Sequence, residues 1–249
     1  MIVHSSLSSL GWVAGGPAAV VESLSRAVGT SGTIVVPTQT GDLCDPSQWS
    51  NPAVPQSWWP IIRDEMPAFD PRTTPTRSMG RIVECFRTWP GVERSSHPTV
   101  SFAAKGPLAH QIVNNHPLVP QFGEESPLAR LYELQAHVLL LGVNHGANTS
   151  LHLAEHRSNW PEKPAPIPTG SPMIIDGERQ WVVYLERSAD DGDFQRVADA
   201  YASEGHPQKR GLVAMAVAEL TPMAALVDYA TLWFTAHRRG SSLGESAPV

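Results

Sequence analysis

The stretch HVLLLGVNHGANTSLHLAEHR, His137 to Arg157, constrains the fold more than any other. Its apolar run, Val138 to Val143, is too short for a helix and lacks the alternation of a strand with one wet face, so it reads as a strand buried on both faces. Such a strand needs helices above and below it, which selects a layered α/β architecture. The turn cluster Asn144-His145-Gly146-Ala147-Asn148 ends the strand. Thr149 or Ser150 then caps a helix carrying His152 and, three residues on and on the same face, Glu155. A carboxylate at that spacing can hold the imidazole and set its charge state. Raising a histidine at the carboxyl end of a sheet strand is a common way to build a base in an α/β protein. The same residues also fit a histidine that merely caps a helix or faces solvent.

Other segments repeat the pattern. Ile2-Val3 runs into His4-Ser5-Ser6-Leu7-Ser8-Ser9-Leu10-Gly11 and then a helix from about Pro17 to Val28. Gly32 to Pro37 (GTIVVP) is another buried strand, stopped by proline and leading into Thr38-Gln39-Thr40-Gly41-Asp42. Strand ends followed by small hydroxyl residues and glycine offer backbone N–H groups to an anion or a carbonyl. From Leu43 to Thr76 runs a Pro- and Trp-rich connection with one short helix near Trp58 to Glu65, of a length usually reserved for lids and binding loops. Its Trp49, Trp58 and Trp59 fit loop anchors and ligand platforms equally. Helices are expected from Arg77 to Trp89, Pro107 to Asn114, Pro127 to Leu134, Asp193 to Ser203 and Pro222 to Arg238. Strands are expected at Thr99 to Ala103 and Leu212 to Val217, with a hairpin of Ser171 to Ile175 and Gln180 to Glu186 about Asp176-Gly177. The expected fold is an α/β/α sandwich with a central mixed, mostly parallel sheet and a C-terminal hairpin. Residues 1–240 are expected to form one domain, with 241–249 a frayed tail.

A formal net charge of -6 argues against a nucleic-acid partner and favours a cationic ligand. Cys44 and Cys85 are too few for a disulfide framework and lack metal-ligand spacing. No run of 18 apolar residues could cross a membrane, and MIVHSSLSSL lacks the basic start and apolar core of a secretory leader, so a cytoplasmic protein is expected.

The blocks HSSLSSLGWVAGG, GTIVVPTQTGD, RSMGRIVECFRTWPGVERSSHPTVSFAAKGP, GEESPLARLYEL and VLLLGVNHGANTSLHLAE, in this order, resemble the aminoglycoside N-3-acetyltransferase family. The resemblance runs from the first residues to about Glu186 and more loosely to Arg238. It implies an α/β/α sandwich unrelated to the GNAT acetyltransferases. It also implies acetyl transfer from acetyl-CoA, as co-substrate and without a metal, to an aminoglycoside (typically the 3-amino group of a 2-deoxystreptamine) or another polyamine, in a monomer or homodimer that confers antibiotic resistance. The family's catalytic histidine falls on His152, with Glu155 its acidic companion, and the Thr149 position also matches. The first block puts His4, Ser5, Ser6 and Leu7 beside the thioester, with Ser8 and Ser9 following. Arg77, Ser78 and Gly80 then meet the pantetheine or phosphates, Ser96 and His97 lie near the same channel, and Asp42 and Glu186 face the amine. Relatives begin with a helix and the front of the first strand, which this sequence does not show before Met1. His145 and His156 receive no catalytic role.

The residue types suit this chemistry independently. A protonated aliphatic amine must lose a proton before it attacks a thioester, and a carboxylate-paired histidine is suited to take it. Hydroxyl or backbone donors of the HSS turn, or Thr149, can meet the developing oxyanion. Direct transfer is expected rather than an acyl-enzyme on Ser5 or Ser6, because no G-x-S-x-G elbow is present. Asp42, Asp45, Glu124, Glu125, Glu186, Asp190, Asp191 and Asp193 are the acids available to hold a cation. Two alternatives stand beside this reading. His152-Leu-Ala-Glu155-His156 spells the H-x-x-E-H zinc-peptidase motif, with both histidines as ligands and Glu155 as base. A non-catalytic relative that binds CoA or a cation is the other.

Overall fold

Three parallel strands form the centre of the computed structural model, which describes residues 1–239. In chain order the elements are β1 (Ile2–Ser5), α1 (Gly16–Val28), β2 (Ile34–Pro37), α2 (Trp59–Glu65), α3 (Gly80–Arg87), β3 (Glu93–Arg94), β4 (Phe102–Lys105), α4 (Ala109–Val113), α5 (Pro127–Glu133), β5 (His137–Leu141), α6 (Leu151–Arg157), β6 (Ile167–Ile175), β7 (Glu178–Glu186), α7 (Phe194–Ser203), β8 (Lys209–Val213), β9 (Ala216–Pro222) and α8 (Met223–His237). Seven strands form one sheet in the order β3-β4-β2-β1-β5-β9-β8, and β6 and β7 pair separately. The expected frayed tail, 241–249, lies outside the described residues.

The α/β fold and its mixed sheet match the sequence reading, but the sheet is not mostly parallel. Only β1 pairs in parallel, with β2 and β5; β4 on β2, β3 on β4, β9 on β5 and β8 on β9 are all antiparallel. Apolar runs report burial on both faces, and antiparallel strands covered by helices on both sides satisfy that equally well. Direction is set by the connections. Residues 212–217, expected as one strand, instead turn at Ala214-Met215, with Ala214 at φ 51°, and a two-residue link can join only antiparallel strands.

Both faces of the sheet are covered. Ile2, Val35, Val138 and Leu140 pack with Phe102, Leu128, Leu153, Phe194 and Phe234 on the face of α4 to α8. Their neighbours Val3, Ile34, Val36 and Leu141 pack on the opposite face with Leu10, Val21, Ile82 and Phe86, beneath α1 and α3. This period-two division is why both neighbours in an apolar pair are buried, each such side chain contributing about 1.5–3 kcal/mol. The β6–β7 hairpin turns at Asp176-Gly177, both at positive φ, as its sequence predicts. No helix among the described residues is long and apolar enough to cross a membrane, and both cysteines are free thiols.

Three buried histidines brace the structure. His97 Nδ1 accepts from the Val100 N–H at 3.1 Å while its Nε2 donates to Leu118 O at 3.2 Å. His116 Nε2 donates to Gln121 O at 2.8 Å, and the two rings lie 4.8 Å apart, fastening residues 116–122 against β4. Burial holds His4 and His97 down at about 3 and His116 at about 4. The unfolded chain therefore binds protons from about pH 6.5 downward that the folded protein refuses, and stability is full above that pH and falls as pH drops towards the folded values. At pH 5.5 the three sites together cost about 4 kcal/mol relative to pH 8. Differential scanning calorimetry is expected to show Tm lower by roughly 10 °C at pH 5.5 than at pH 8. A Tm unchanged across that interval contradicts neutral burial of these rings.

Candidate active site

The carboxyl ends of β1, β2 and β5 open on one edge of the sheet, where ligands gather in open α/β folds. Beyond β1 the Ser6 N–H donates to Leu141 O at 2.9 Å, and the Ser8–Leu10 turn is tied down by Ser9 Oγ donating to Gly142 O at 2.8 Å. Gly142 has φ 73°, and a Cβ there would come within 2.5 Å of Ser9 Cβ, so only glycine lets the two strand ends approach.

Beyond β5 a buried polar network shapes the turn. Asn148 Oδ1 accepts from Ser150 Oγ at 2.6 Å, and its Nδ2 donates to His145 Nδ1 at 3.1 Å. His145 Nε2 in turn donates to Glu219 Oε1 at 2.6 Å. This network makes His145 a structural residue, consistent with its exclusion from catalysis. It presents the Thr149 N–H to His4 Nε2 at 3.0 Å, which leaves the proton of the neutral His4 ring on Nδ1. Leu151, Leu153 and Ala154 are buried and fix the roll of α6, which turns His152 into the cleft.

His152 Nδ1 donates to Glu155 Oε2 at 2.8 Å, and the imidazole stacks on Phe122 at 4.7 Å and 7°, with Phe194 at 4.8 Å on a tilted approach. Its Nε2 has no hydrogen-bond partner among the described residues. Glu155 is buried; its Oε1 accepts from Arg238 Nη1 at 2.8 Å and from the Asp190 N–H at 3.0 Å. Burial alone would raise its pKa, but the hydrogen bond and charge of His152, with the Arg238 guanidinium, outweigh that and hold it below the usual carboxylate range. An ionised Glu155 keeps the proton on Nδ1 and leaves the Nε2 lone pair facing the cleft.

His152 stands where two halves of the cleft meet. One, about 240 Å³, is lined by His4, Ser5, Gln39, Ser78, Met79 and Thr149. The other, about 180 Å³, is lined by Phe122, Glu155, Lys163, Glu186 and Arg187. The structure thus brings His152, Glu155, Thr149, His4, Ser5, Ser78 and Glu186 together. Gly80 opens α3 at φ 83°, with Ser5 O the neighbour a Cβ would meet at 3.8 Å.

Other expected site residues lie elsewhere. Ser8 is exposed, Leu7 packs on the α1–α3 core, and Ser9 lines a separate depression beside Met215; Ser6 braces the turn through Ser9 Oγ at 2.9 Å. Ser96 is exposed and His97 is engaged in the core, so neither lines the cleft; a buried histidine and a surface one look alike in sequence. Asp42 and Arg77 share one shallow depression with Cys44 and Trp49. Glu186 lines a different depression, although the loop that carries Asp42 reaches the base of the hairpin through Gln48, whose Oε1 accepts from Thr169 Oγ1 at 2.9 Å. Glu186 spends both oxygens on backbone N–H groups, from Gln121 at 2.8 Å and Arg187 at 2.7 Å, and burial pushes its pKa up. Of the remaining acids, Asp45 is gripped by Arg63 at 2.8 Å, Glu124 by Arg157 at 2.8 Å and Asp193 by Arg238 at 2.6 Å.

Sequence reasoning missed Phe122, Phe194 and Arg238. Phe122 directly precedes the GEES block, but nothing local marks the other two. The zinc reading meets a specific obstacle. Glu155, its base, is bound through both oxygens, and among the described residues no group of three His, Cys, Asp or Glu side chains converges as metal ligands.

Comparison with known proteins finds similarity over most of the chain. Residues 2–235 match a family model described as aminoglycoside 3-N-acetyltransferase. The chain is 34% identical over 248 residues to aminoglycoside N(3)-acetyltransferase VII of Streptomyces paromomycinus, covering 94% of this chain and 84% of that protein. The crystal structure of the YokD protein from Bacillus subtilis aligns with a TM-score of 0.91 at 44% identity, over 95% of this chain and 86% of that one. A binary complex of AAC-IIIb with CoASH aligns with a TM-score of 0.79 at 29% identity, over 94% and 88% of the two chains.

Proposed function

This chain belongs to the aminoglycoside 3-N-acetyltransferase family and is an acetyltransferase of that type; from that premise we propose that it moves the acetyl group of acetyl-CoA directly to an amine of a 2-deoxystreptamine aminoglycoside, with His152 as general base. The observation that carries this reading is the His152 Nδ1–Glu155 Oε2 hydrogen bond of 2.8 Å, which leaves Nε2 free at the junction of the two half-clefts.

The acetyl donor enters the half bounded by Ser5, Ser78 and Met79, and the amine enters the half bounded by Phe122 and Glu186. The AAC-IIIb complex with CoASH supports the use of CoA in this fold. Ser5 Oγ and His4 Nδ1, buried at the strand end and without a partner among the described residues, mark the floor of the donor half as more polar than a hydrophobic core would be. The neutral amine attacks the thioester carbonyl, forming the C–N bond as Nε2 takes its proton. In this reading the Thr149 hydroxyl, on the wall of the donor half, donates to the oxyanion. The C–S bond then breaks, and the imidazolium returns the proton to the departing thiolate sulfur. Glu155 stabilises that imidazolium, and the flanking Phe122 and Phe194 rings keep it out of water.

Thiol release from acetyl-CoA in the presence of 2-deoxystreptamine aminoglycosides is the direct test, with simple amines as comparison. Turnover is expected with the aminoglycosides and unchanged by EDTA. Loss on chelation with recovery on zinc addition would replace the proposal with the metal reading, and CoA binding without turnover on any amine would replace it with a non-catalytic role.

A further inference from the structure

The dyad does not end at Glu155. Arg238, just past α8 and beyond the residues 2–235 that the family model matches, lies with its guanidinium buried behind the carboxylate. Its Nη1 donates to Glu155 Oε1 at 2.8 Å, its Nε and Nη2 grip Asp193 at 2.9 and 2.6 Å, and Nη2 also reaches Asp190 O at 2.7 Å. Phe234 lies beneath the guanidinium at 4.1 Å and Trp160 at 5.0 Å. All three nitrogens of the planar fork therefore donate, in a geometry that a lysine ammonium cannot reproduce.

Building on the assignment of His152 as base, we propose that Arg238 is the positioning residue of the dyad. It holds the Glu155 carboxylate ionised with Oε2 turned to His152, and it ties the wall formed by residues 190–193 to that carboxylate. Two physical points support this. A carboxylate rotates about its last bond, and only a second fixed donor on Oε1 keeps Oε2 aimed at Nδ1; Arg238 and the Asp190 N–H supply it. Charge also matters, because a buried Glu155 with only a neutral imidazole beside it would tend to protonate. The hydrogen bonds to Asp193 and the charge of Glu155 outweigh the cost of burying Arg238 and hold its pKa above the ordinary value, so it stays cationic at every working pH.

The acidic limb of kcat/KM reports proton uptake by the pair that His152 makes with Glu155, which belongs to neither residue alone. The groups facing it and Glu155 are His156 and Arg157 on α6, His4 on β1, His145 before α6, Lys163 after it, Glu186 and Arg187 at the end of β7, Asp190, Asp191 and Asp193 in the following loop, and Arg238. Of these only Arg238 is a cation bonded directly to the Glu155 carboxylate. Removing it leaves that negative charge less balanced, so the His152–Glu155 pair takes up a proton at higher pH, whichever partner holds it, and the limb moves up.

For Arg238→Met, kcat is expected to fall at least 10-fold and the acidic limb to move up by about one pH unit, while the Kd for CoA is unchanged. Arg238→Lys keeps the charge and loses the fork, so kcat falls with little movement of the limb. If Arg238→Met does not fold, guanidinium added to Arg238→Ala is expected to restore turnover in proportion to occupancy, and failure of rescue in a folded Arg238→Ala counts against the proposal. A folded Arg238→Met with wild-type kcat and limb overturns it. The base assignment fails separately, through an active His152→Gln in the otherwise native protein.

Discussion

Replacing His152 with alanine is expected to lower kcat for acetyl transfer by about 10²–10⁴-fold while leaving the protein folded and able to bind CoA, since general bases contribute on that scale. The imidazole makes one hydrogen bond, to Glu155, and its stacking on Phe122 and Phe194 is replaceable packing, so stability should change little compared with activity. The informative measurement pairs steady-state kinetics with CoA titration. Retention of more than about a tenth of wild-type turnover removes His152 from the role of base. Equal loss of CoA binding shows instead that the residue shapes the donor half of the cleft.

A second large effect is expected for Glu155→Gln, which keeps shape and removes charge. The Gln amide can turn its NH₂ towards His152 Nδ1, which favours the tautomer that carries its proton on Nε2 and so cannot accept one from the amine; a loss of about 10²–10⁴-fold in kcat follows. The substitution also leaves Arg238 short of one counter-charge in a buried position, at a cost on the order of 1–3 kcal/mol. The pH dependence has a definite sign. The folded pKa of Glu155 is depressed, so its stabilising contribution is present above the unfolded value of 4.5 and lost as pH falls through the folded one. The Tm difference between wild type and variant is therefore expected to be full at neutral pH and to shrink below about pH 4.5. A difference that grows on acidification would show that Glu155 is held protonated in the native state.

The central unit was legible because local physics dictates it. An apolar run with no alternation has to be a doubly buried strand, Asn-His-Gly cannot continue it, and i, i+3 spacing alone puts Glu155 beside His152. The same holds for the β6–β7 hairpin, where Asp176-Gly177 supplies the two positive-φ residues its turn requires. Strand direction was not legible in this way, because burial of both faces does not depend on whether a neighbour runs parallel or antiparallel. The partners of the acids were not legible for a related reason. Asp45, Glu124 and Asp193 look like free cation ligands in the chain, and each is taken by an arginine from elsewhere in sequence, Arg63, Arg157 and Arg238.

By itself, then, the sequence determined the elements, the pairing of His152 with Glu155 and the placing of both at a strand's carboxyl end, all consequences of spacings shorter than one helical turn or one strand. Only the tertiary structure decided what surrounds them. The separations of 145 positions from His4 to Thr149, and of 83 from Glu155 to Arg238, are closed by the packing of α6 and α8 on the sheet. A hydrogen bond made across such a separation leaves no periodicity in the chain, because its partners are brought together by burial of other side chains.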